Sequence, residues 1–439
     1  MPGLSVGTES MSNSKSTRAD EVNTLARKSN FTQSILVFNA GSSSIKFALY
    51  QHSEPLKLLL QGEIEKLGGK ISPFVVKNTK GEVLDQRDLT ATDRKSIINF
   101  LIHWFEQQDY FGSIKTVGHR VVHGMHHTAP EQVSQSLLAE LHHISPFDPD
   151  HLPQEIEIIE TLFWRHPALI QVACFDTAFH RSIPRVAKLL PIPRRFTENG
   201  AQRYGFHGLS YAYLMQELES LGEAAAKEGR VILAHLGNGA SMAAVLNGKS
   251  IDTSMCFTPA SGIPMSTRSG DLDPGLISYL MQNKKMTSVQ LRHMVNYESG
   301  LLGVSETSSD MRVLLENEAN DPRAAEAIAM FCYQARKYVG AYAAALGGLD
   351  TLVFTGGIGE HAPLIRARIC EGLEFLGIKL NKASNAKNAS LISTVGGRVN
   401  VHVIHTNEEL MIARSVAQMI PIRHSEPKVL PEGATHERE

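Results

Sequence analysis

The sequence predicts an α/β protein of two lobes, built by duplication around a central cleft, and three observations carry that expectation. A strand, a small polar turn and a second strand occupy residues 35–50 (ILVFNAGSSSIKFALY), and the same pattern returns about 200 residues later over 231–246 (VILAHLGNGASMAAVL). Further strands and then helical patterns follow the first copy, the order in which an α/β lobe is assembled. At 439 residues the chain exceeds what one ordinary core accommodates, so two or three domains are the default.

Composition narrows the function classes. Hydrophobic residues make up 42% and charged residues 20%, and no run of about 18 apolar residues exists to span a bilayer. Lys and Arg number 43 against 45 Asp and Glu, so there is no basic field for nucleic acid and any charge used in function is local. Cys174, Cys256, Cys332 and Cys370 are far apart and form no CxxC pair, which argues against a zinc knuckle or a disulfide framework and fits a reducing cytoplasm. Residues 1–30 lack an apolar h-region and read as a flexible extension, with Glu9, Asp20 and Glu21 arguing against a transit peptide. Residues 424–439 read as a polar, mobile tail.

In the first copy, residues 35–38 form a continuous apolar run, and Ile45, Phe47 and Leu49 then alternate with smaller or polar neighbours. The turn between them, Asn39-Ala40-Gly41-Ser42-Ser43-Ser44, gathers unhindered N–H groups and three hydroxyls, which suits a phosphate; taken alone it reads first as an ordinary hairpin turn. Strand-like pieces at 74–77 and 83–84 precede a helical pattern over 91–107. The run 116–122 (TVGHRVV) reads as a buried strand, in which Arg120 is either an ion-paired edge residue or an anion ligand at a strand end. Histidines concentrate beyond it at 126, 127, 142, 143 and 151. Without Cys or carboxylate partners at ligand spacing, they are not read as a metal cluster. Residues 172–175 form a buried strand ending at Asp176, where carboxylates line clefts, although a helix N-cap for 177–181 would use the same residue.

Two glycines then flank Phe206 and His207 in RYGFHGLS, presenting the histidine ahead of a helix over 211–221. The second strand pair is joined by His235-Leu236-Gly237-Asn238-Gly239-Ala240-Ser241, and the recurrence favours a phosphate role for both turns. Residues 252–274 are aperiodic and dense in Ser, Thr, Gly and Pro, the marks of a structured functional loop, with Arg268 inside it. Residues 305–312 (SETSSDMR) offer a Ser/Asp helix start, and Asp321-Pro322 opens a long Ala-rich helix that ends at Gly347-Gly348. A strand over 352–354 leads into Thr355-Gly356-Gly357-Ile358-Gly359-Glu360, a third glycine-rich turn whose N–H groups at a helix start attract phosphate. Residues 401–404 are a last strand, and Asn407-Glu408-Glu409 caps a helix over 410–419.

Eight stretches in order, VFNAGSSSIKF, GHRVVHG, FDTAFH, RYGFHGLS, HLGNGAS, TRSGDLDPG, FTGGIGEH and TNEEL, make the chain from about 31 to 419 resemble the acetokinase family. That family belongs to the superfamily of acetate and sugar kinases, heat-shock proteins and actin. The resemblance implies a two-lobed actin-like ATPase fold with a five-stranded mixed sheet in each lobe. Residues 31–178 with 405–423 would form the phosphoryl and carboxylate lobe, and 179–404 the nucleotide-binding lobe. It further implies reversible, direct in-line transfer of the ATP γ-phosphoryl group to acetate, giving acetyl phosphate and ADP, by a cytoplasmic homodimer. Magnesium is the implied ion, with manganese as a substitute.

Carried over position by position, Arg120 and Arg268 match the arginines that bind the carboxylate and the transferring phosphoryl group, His207 the histidine that stabilises the transition state, and Asp176 the acid that supports them. Asn39 and Glu408 match the magnesium positions. The nucleotide-binding positions are His235, Leu236, Gly237, Asn238, Gly239, Asp310, Met311, Arg312, Gly357, Ile358, Gly359, Glu360 and His361, with Lys46; Val122, Phe206 and Pro259 match the pocket for the acetate methyl group.

The chemistry agrees with that set. A carboxylate is already ionised at neutral pH, so the difficulty is bringing one anion onto another, which calls for cations and donors rather than a base. A sugar kinase on the same fold wants a free carboxylate base, for which Asp176 is available; an ATP-dependent switch protein needs no acyl site. Propionate or butyrate would ask for a roomier wall near Phe147. Three departures stand out. The family usually has Pro-Leu-His-Asn-Pro where this chain has Ser145-Pro146-Phe147-Asp148-Pro149, one residue shorter and without the histidine. The loop over 260–267 (ASGIPMST) differs from the family's Glu-Gly and Met-Gly-Thr pattern, and His361 replaces an Asn. Retained activity with altered acyl preference is the expectation.

Overall fold

The apolar run at the start of the first copy is the spine of an eight-stranded sheet. In a computed structural model of the protein, which describes residues 33–421 except 42–43, 68 and 91–92, Ile35, Leu36, Val37 and Phe38 are each 1% exposed or less. They lie in β1 (Ser34–Ala40), which pairs antiparallel with β2 (Ser44–Gln51), Phe38 opposite Phe47 and Asn39 opposite Lys46. The chain then meanders through β3 (Lys57–Glu65), β4 (Ser72–Asn78) and β5 (Val83–Leu89), crosses helix α1 (Arg94–Glu106), and returns as β6 (Ile114–Val121) parallel to β1. A two-residue strand β7 (Glu131–Gln132) and helices α2 (Gln135–Ile144) and α3 (Leu152–Arg165) precede β8 (Ile170–Phe175), parallel to β6.

The strand order is β5-β4-β3-β2-β1-β6-β8-β7. The resemblance implied five strands here and there are eight. Residues 57–65 were not read as a strand, because polar residues and Gly62 break the alternation of KLLLQGEIE. Gly62 is needed there: a Cβ would stand 2.3 Å from the Phe47 ring. The Asp176 segment is a 3-10 turn (Asp176–Ser182) rather than an α-helix, and Asp176 does not cap it with its side chain.

Helix α4 (Gly208–Ser220) sits between the two sheets. Its Leu209 packs with Val172 and Cys174 of β8, while Tyr211, Leu214 and Leu218 pack with Val231, Leu233 and Val353 on the other side. The second sheet comprises β9 (Arg230–Leu236), β10 (Ala240–Leu246) and β11 (Lys249–Thr253) as an antiparallel meander, with β12 (Thr351–Thr355) and β13 (Asn400–Val403) added in parallel, in the order β11-β10-β9-β12-β13. The β3-β2-β1-β6-β8 part of the first sheet has the same connectivity and strand directions. The duplication expected from the two strand pairs is therefore present in the topology, and the first lobe adds β4, β5 and β7 at its edges.

Two helices, α5 (Pro274–Asn283) and α6 (Ser288–Tyr297), follow the long loop; α7 (Met311–Asn317) starts at its N-cap Asp310. Helix α8 (Pro322–Leu346) begins at Asp321-Pro322 and ends at Gly347, φ 70°, as the capping residues dictate. Its buried Ala324, Ala327, Phe331, Ala335 and Ala343 join the second-lobe core. Helix α9 (Gly356–His361) opens directly from β12, and α10 (Glu408–Met419), capped by Asn407, returns to pack on β1 and β6. A Cβ on Gly118 would meet Ile412 and Val416 at 2.5 and 2.8 Å, so this close approach of α10 requires the glycine. Among the described residues no helix is long and apolar enough to cross a membrane.

Candidate active site

Parallel pairing of β6 with β8 sets Val121 beside Phe175, so Arg120 and Asp176 emerge at the same sheet edge, where open α/β sheets bind ligands. Arg120 Nε and Nη2 both donate to Asp176 Oδ2, at 2.9 and 2.6 Å, and Asp176 Oδ1 accepts from the Leu209 N–H at 3.3 Å. The carboxylate is wholly enclosed. Burial pushes it up and Arg120 opposes that push, while the same carboxylate, with Glu408 and Glu155, outweighs burial at Arg120 and holds the guanidinium above its ordinary value. Asp176 is thus enclosed and held by Arg120, and it lines no cavity wall, which places it as a support for the guanidinium rather than as the general base that a sugar kinase would need. Behind this pair, Glu155 accepts from the Val122 N–H at 2.9 Å and is pushed up to about 8 by burial.

His207 stands at φ 58°, immediately before α4, and Gly208 follows because a Cβ there would lie 1.9 Å from the Asp176 carbonyl oxygen. Its ring stacks on His235 at 4.1 Å and 22°. Nδ1 meets Ser241 Oγ at 2.8 Å, and that hydroxyl meets Tyr211 Oη in turn. Among the described residues, one arrangement gives every hydroxyl hydrogen an acceptor: Tyr211 donates to Ser241, and Ser241 donates to His207 Nδ1. Nε2 then carries the ring proton. Burial, then His235, Arg120 and Arg268, hold His207 well below its ordinary value, so the ring is a neutral donor.

Arg268, half-buried in the loop after β11, is held by neutral acceptors: the Pro259 carbonyl at 3.3 Å, the Met265 sulfur at 3.8 Å and His151 Nε2 at 3.3 Å. No carboxylate lies within 4 Å of it among the described residues, which leaves a cation open to an anionic ligand. A guanidinium only donates, so His151 Nε2 accepts and its Nδ1–H donates to Asp148 Oδ1 at 2.8 Å. Burial raises Asp148, but His151, His123 and Arg268 together bring it below its ordinary value, so it is an anion that fixes the ring. The altered segment at 145–149 therefore does not leave the wall without a histidine. His151 lines it, whereas Phe147 does not and packs against Phe257 and His123. His151 was seen in the sequence only as one of several scattered histidines.

Two cavities meet at Asn238, Gly239 and Ser266. The smaller, about 410 Å³, is lined by Arg120, Val122, His151, Phe206, His207, Pro259 and Arg268, which unites all the residues expected to hold the carboxylate and the methyl group. The larger, about 780 Å³, is lined by His235, Gly237, Asn238, Gly239, Asp310, Met311, Arg312, Gly357, Ile358, Glu360 and His361, with Asn39, Lys46 and Glu408 on the facing side. Two expected residues fall outside it: Leu236 turns into the second-lobe core, and Gly359 lies on the buried face of α9, against β9 and β12. Both were included because they stand within a motif, while a strand or helix shows only alternate residues to a cleft.

Asn39 Nδ2 donates to Glu408 Oε2 and Glu409 Oε1, both at 2.9 Å. Glu408 is raised by burial but brought below its ordinary value by Arg120, His235 and Asn39. Glu409 was missed because it repeats its neighbour at a helix start. These two carboxylates, with the Asn39 amide oxygen turned round in place of the nitrogen that faces them, would be the hard donor set that magnesium takes together with substrate phosphates. Ser42 and Ser43 of the first turn lie outside the described residues.

Comparison with known proteins agrees with this construction. The pattern of the acetokinase family matches residues 34–414. The acetate kinase of Rhodopseudomonas palustris (strain TIE-1) is 46% identical over 389 residues, covering 87% of this chain and 97% of that protein. The crystal structure of Porphyromonas gingivalis acetate kinase superposes with a TM-score of 0.79 at 35% identity, covering 88% of this chain and 99% of that one. That of a propionate kinase from Francisella tularensis subsp. tularensis SCHU S4 gives 0.81 at 36% identity, covering 87% and 98%. With a family match over most of its length and a two-lobed, actin-like architecture shared with solved members, the chain belongs to the acetokinase family.

Proposed function

We propose that the protein is an acetate kinase, transferring the ATP γ-phosphoryl group reversibly to acetate with magnesium. The observation that carries this reading is the acyl cavity, in which Arg120, Arg268 and the neutral donor His207 face a patch formed by Val122, Phe206 and Pro259, while Asp176 is committed to Arg120 and Asp150, the carboxylate on the wall, accepts from Asn296. A carboxylate attacks without deprotonation, so catalysis consists of holding it in line and neutralising the equatorial oxygens of the phosphoryl group. Arg120, fixed by Asp176, and Arg268, fixed by His151, supply positive charge from opposite walls. His207 Nε2–H adds a donor between them. ATP occupies the larger cavity, its phosphates reaching the junction at Asn238 and Gly239. Asn39, Glu408 and Glu409 would hold magnesium, whose charge offsets that of the phosphates.

Propionate is the second acyl substrate. The altered segment 145–149 does not line the acyl cavity, whose wall on that side is Asp150, His151, Asn296 and Tyr297; Phe147, Asp148 and Pro149 border a separate cavity of about 280 Å³ instead. The test is formation of acyl phosphate from ATP and acetate, propionate or butyrate, with magnesium and after EDTA. Acetate is expected to give the highest kcat/KM and EDTA to abolish turnover; no acyl phosphate from any acid, or undiminished turnover in EDTA, contradicts the proposal.

We also infer a homodimer in the cytoplasm. Helices α5 and α6 bury none of their residues, yet they carry Leu276, Tyr279, Met281, Val289 and Tyr297 at 41–65% exposure, an apolar surface that a second copy would cover. Sedimentation as a single chain at micromolar concentration would contradict the dimer. The four free thiols fit a reducing compartment.

A further inference from the structure

Outside the catalytic cleft, the loop after β6 and helix α2 bring His126, His127 and Glu140 together, one ligand atom of each lying within 4.8 Å of the others. His126 Nε2 is 2.8 Å and His127 Nε2 3.4 Å from Glu140 Oε1. Donors on a tetrahedral zinc ion, bound at about 2.0–2.1 Å, stand about 3.3 Å apart, so the His127 spacing matches that of ligands sharing one ion, while the 2.8 Å contact of His126 is a hydrogen bond that an ion would replace. On the opposite edge of the His127 ring, Nδ1 is 2.9 Å from Glu131 Oε2. A carboxylate there keeps the proton on Nδ1 and turns the Nε2 lone pair outward, the second-sphere arrangement typical of a metal-bound histidine. That Nε2 is buried and has no hydrogen-bond partner, and the side chain is only 8% exposed. Stacking on Phe175, at 4.7 Å and 9°, keeps the ring from swinging away, and His126 lies over its other side at 4.8 Å.

We propose that His126, His127 and Glu140 form a three-ligand site for a zinc-class divalent cation, with Glu131 as its supporting carboxylate and a fourth position open to water. Two imidazoles and one carboxylate suit zinc and its neighbours, and not magnesium or calcium, which take oxygen sets. Glu140 is the carboxylate partner that could not be seen in the sequence, because it reaches the loop from one turn of an amphipathic helix. The ion would tie α2 to the loop after β6, and so to the strand end that carries Asp176: Phe175 precedes that residue, and the Gly124 N–H donates to Thr177 Oγ1 at 3.1 Å. A second grouping, Glu360 with His361 and His405, carries no such proposal, because the Glu360 oxygens are already taken by Thr355, the Gly356 and Thr406 N–H groups and His405.

The test is titration of the full-length, EDTA-dialysed protein with Zn²⁺ in the absence of nucleotide, followed by calorimetry and melting temperature, with Co²⁺ as a visible probe of coordination. The expected result is a binding event that raises the melting temperature and is lost in the His126→Asn/His127→Asn double variant. Glu131→Gln, which removes no ligand, should weaken binding at least tenfold, a loss that a loosely held surface ion would not show. No Zn²⁺ binding by the parent protein, or equal affinity in the double variant, overturns the proposal. Should the double variant fail to fold, Glu140→Gln, altered at a partly exposed helix position, gives the same reading: retained affinity overturns the site and lost affinity supports it.

Discussion

A Cβ built on Gly239 would stand 3.1 Å from His207 Nε2 and 3.6 Å from Arg268 Nη1, in the passage where the two cavities meet. The missing side chain is what leaves room for a phosphoryl group between a donor and a cation. Gly239→Ala meets nothing closer than those side-chain ends, so the fold should tolerate it while kcat falls on the order of 10², the cost of misplacing reacting groups by about an ångström. Measurement of kcat together with the melting temperature checks this, and an unchanged kcat would count against the placement. Residues such as Arg120, Arg268 and His207 were legible in the sequence because a charged or polar group amid apolar or glycine-rich neighbours needs a reason to be there. His151 was not. It lies in an aperiodic segment where nothing but the fold shows which histidine faces Arg268.

At the scale of elements, the capped and periodic stretches were legible and the mixed ones were not. Helix α8 runs from Pro322 to Leu346 as Asp321-Pro322 and Gly347 required, and β1, β9 and β12 appear where short apolar runs end in glycine-rich turns. Strand β3 was missed because its faces alternate poorly, and the Asp176 turn was read as a helix because a short 3-10 segment carries the same local signals. The equivalence of β3-β2-β1-β6-β8 with β11-β10-β9-β12-β13 explains why the two turn motifs look alike: each joins the first antiparallel pair of its sheet and points into the common cleft. What strand patterning could not show is which residues of a motif face that cleft, as Leu236 and Gly359 demonstrate.

At the scale of the molecule, burial of histidine makes the fold sensitive to acid. His119, His123 and His180 are each enclosed and pushed down to about 4, chiefly by loss of hydration. Between pH 6.5 and about 4 the unfolded chain binds these protons and the folded one does not, so stability is lost as pH falls through that window. Glu155, raised to about 8, acts in the opposite sense as pH rises from 4.5. Burial lowers His207 and His235 in the same sense, so the histidines outweigh Glu155 and stability falls on acidification through this window. Urea unfolding at pH 7.5 and 5.5 should show a markedly lower midpoint at the acidic value, and equal midpoints would show that these histidines are not held neutral. The two sheets also divide the charge proposed for catalysis: Arg120 comes from the first, Arg268 from the loop that follows β11 of the second, and both line one cavity beside the larger one. The most direct measurement is therefore steady-state turnover of Arg268→Ala with acetate and MgATP, paired with its ATP affinity. Charge compensation at the phosphoryl group predicts a fall in kcat of about 10³ or more, with ATP affinity nearly intact because Arg268 does not line the larger cavity. A kcat within tenfold of the parent enzyme would contradict it.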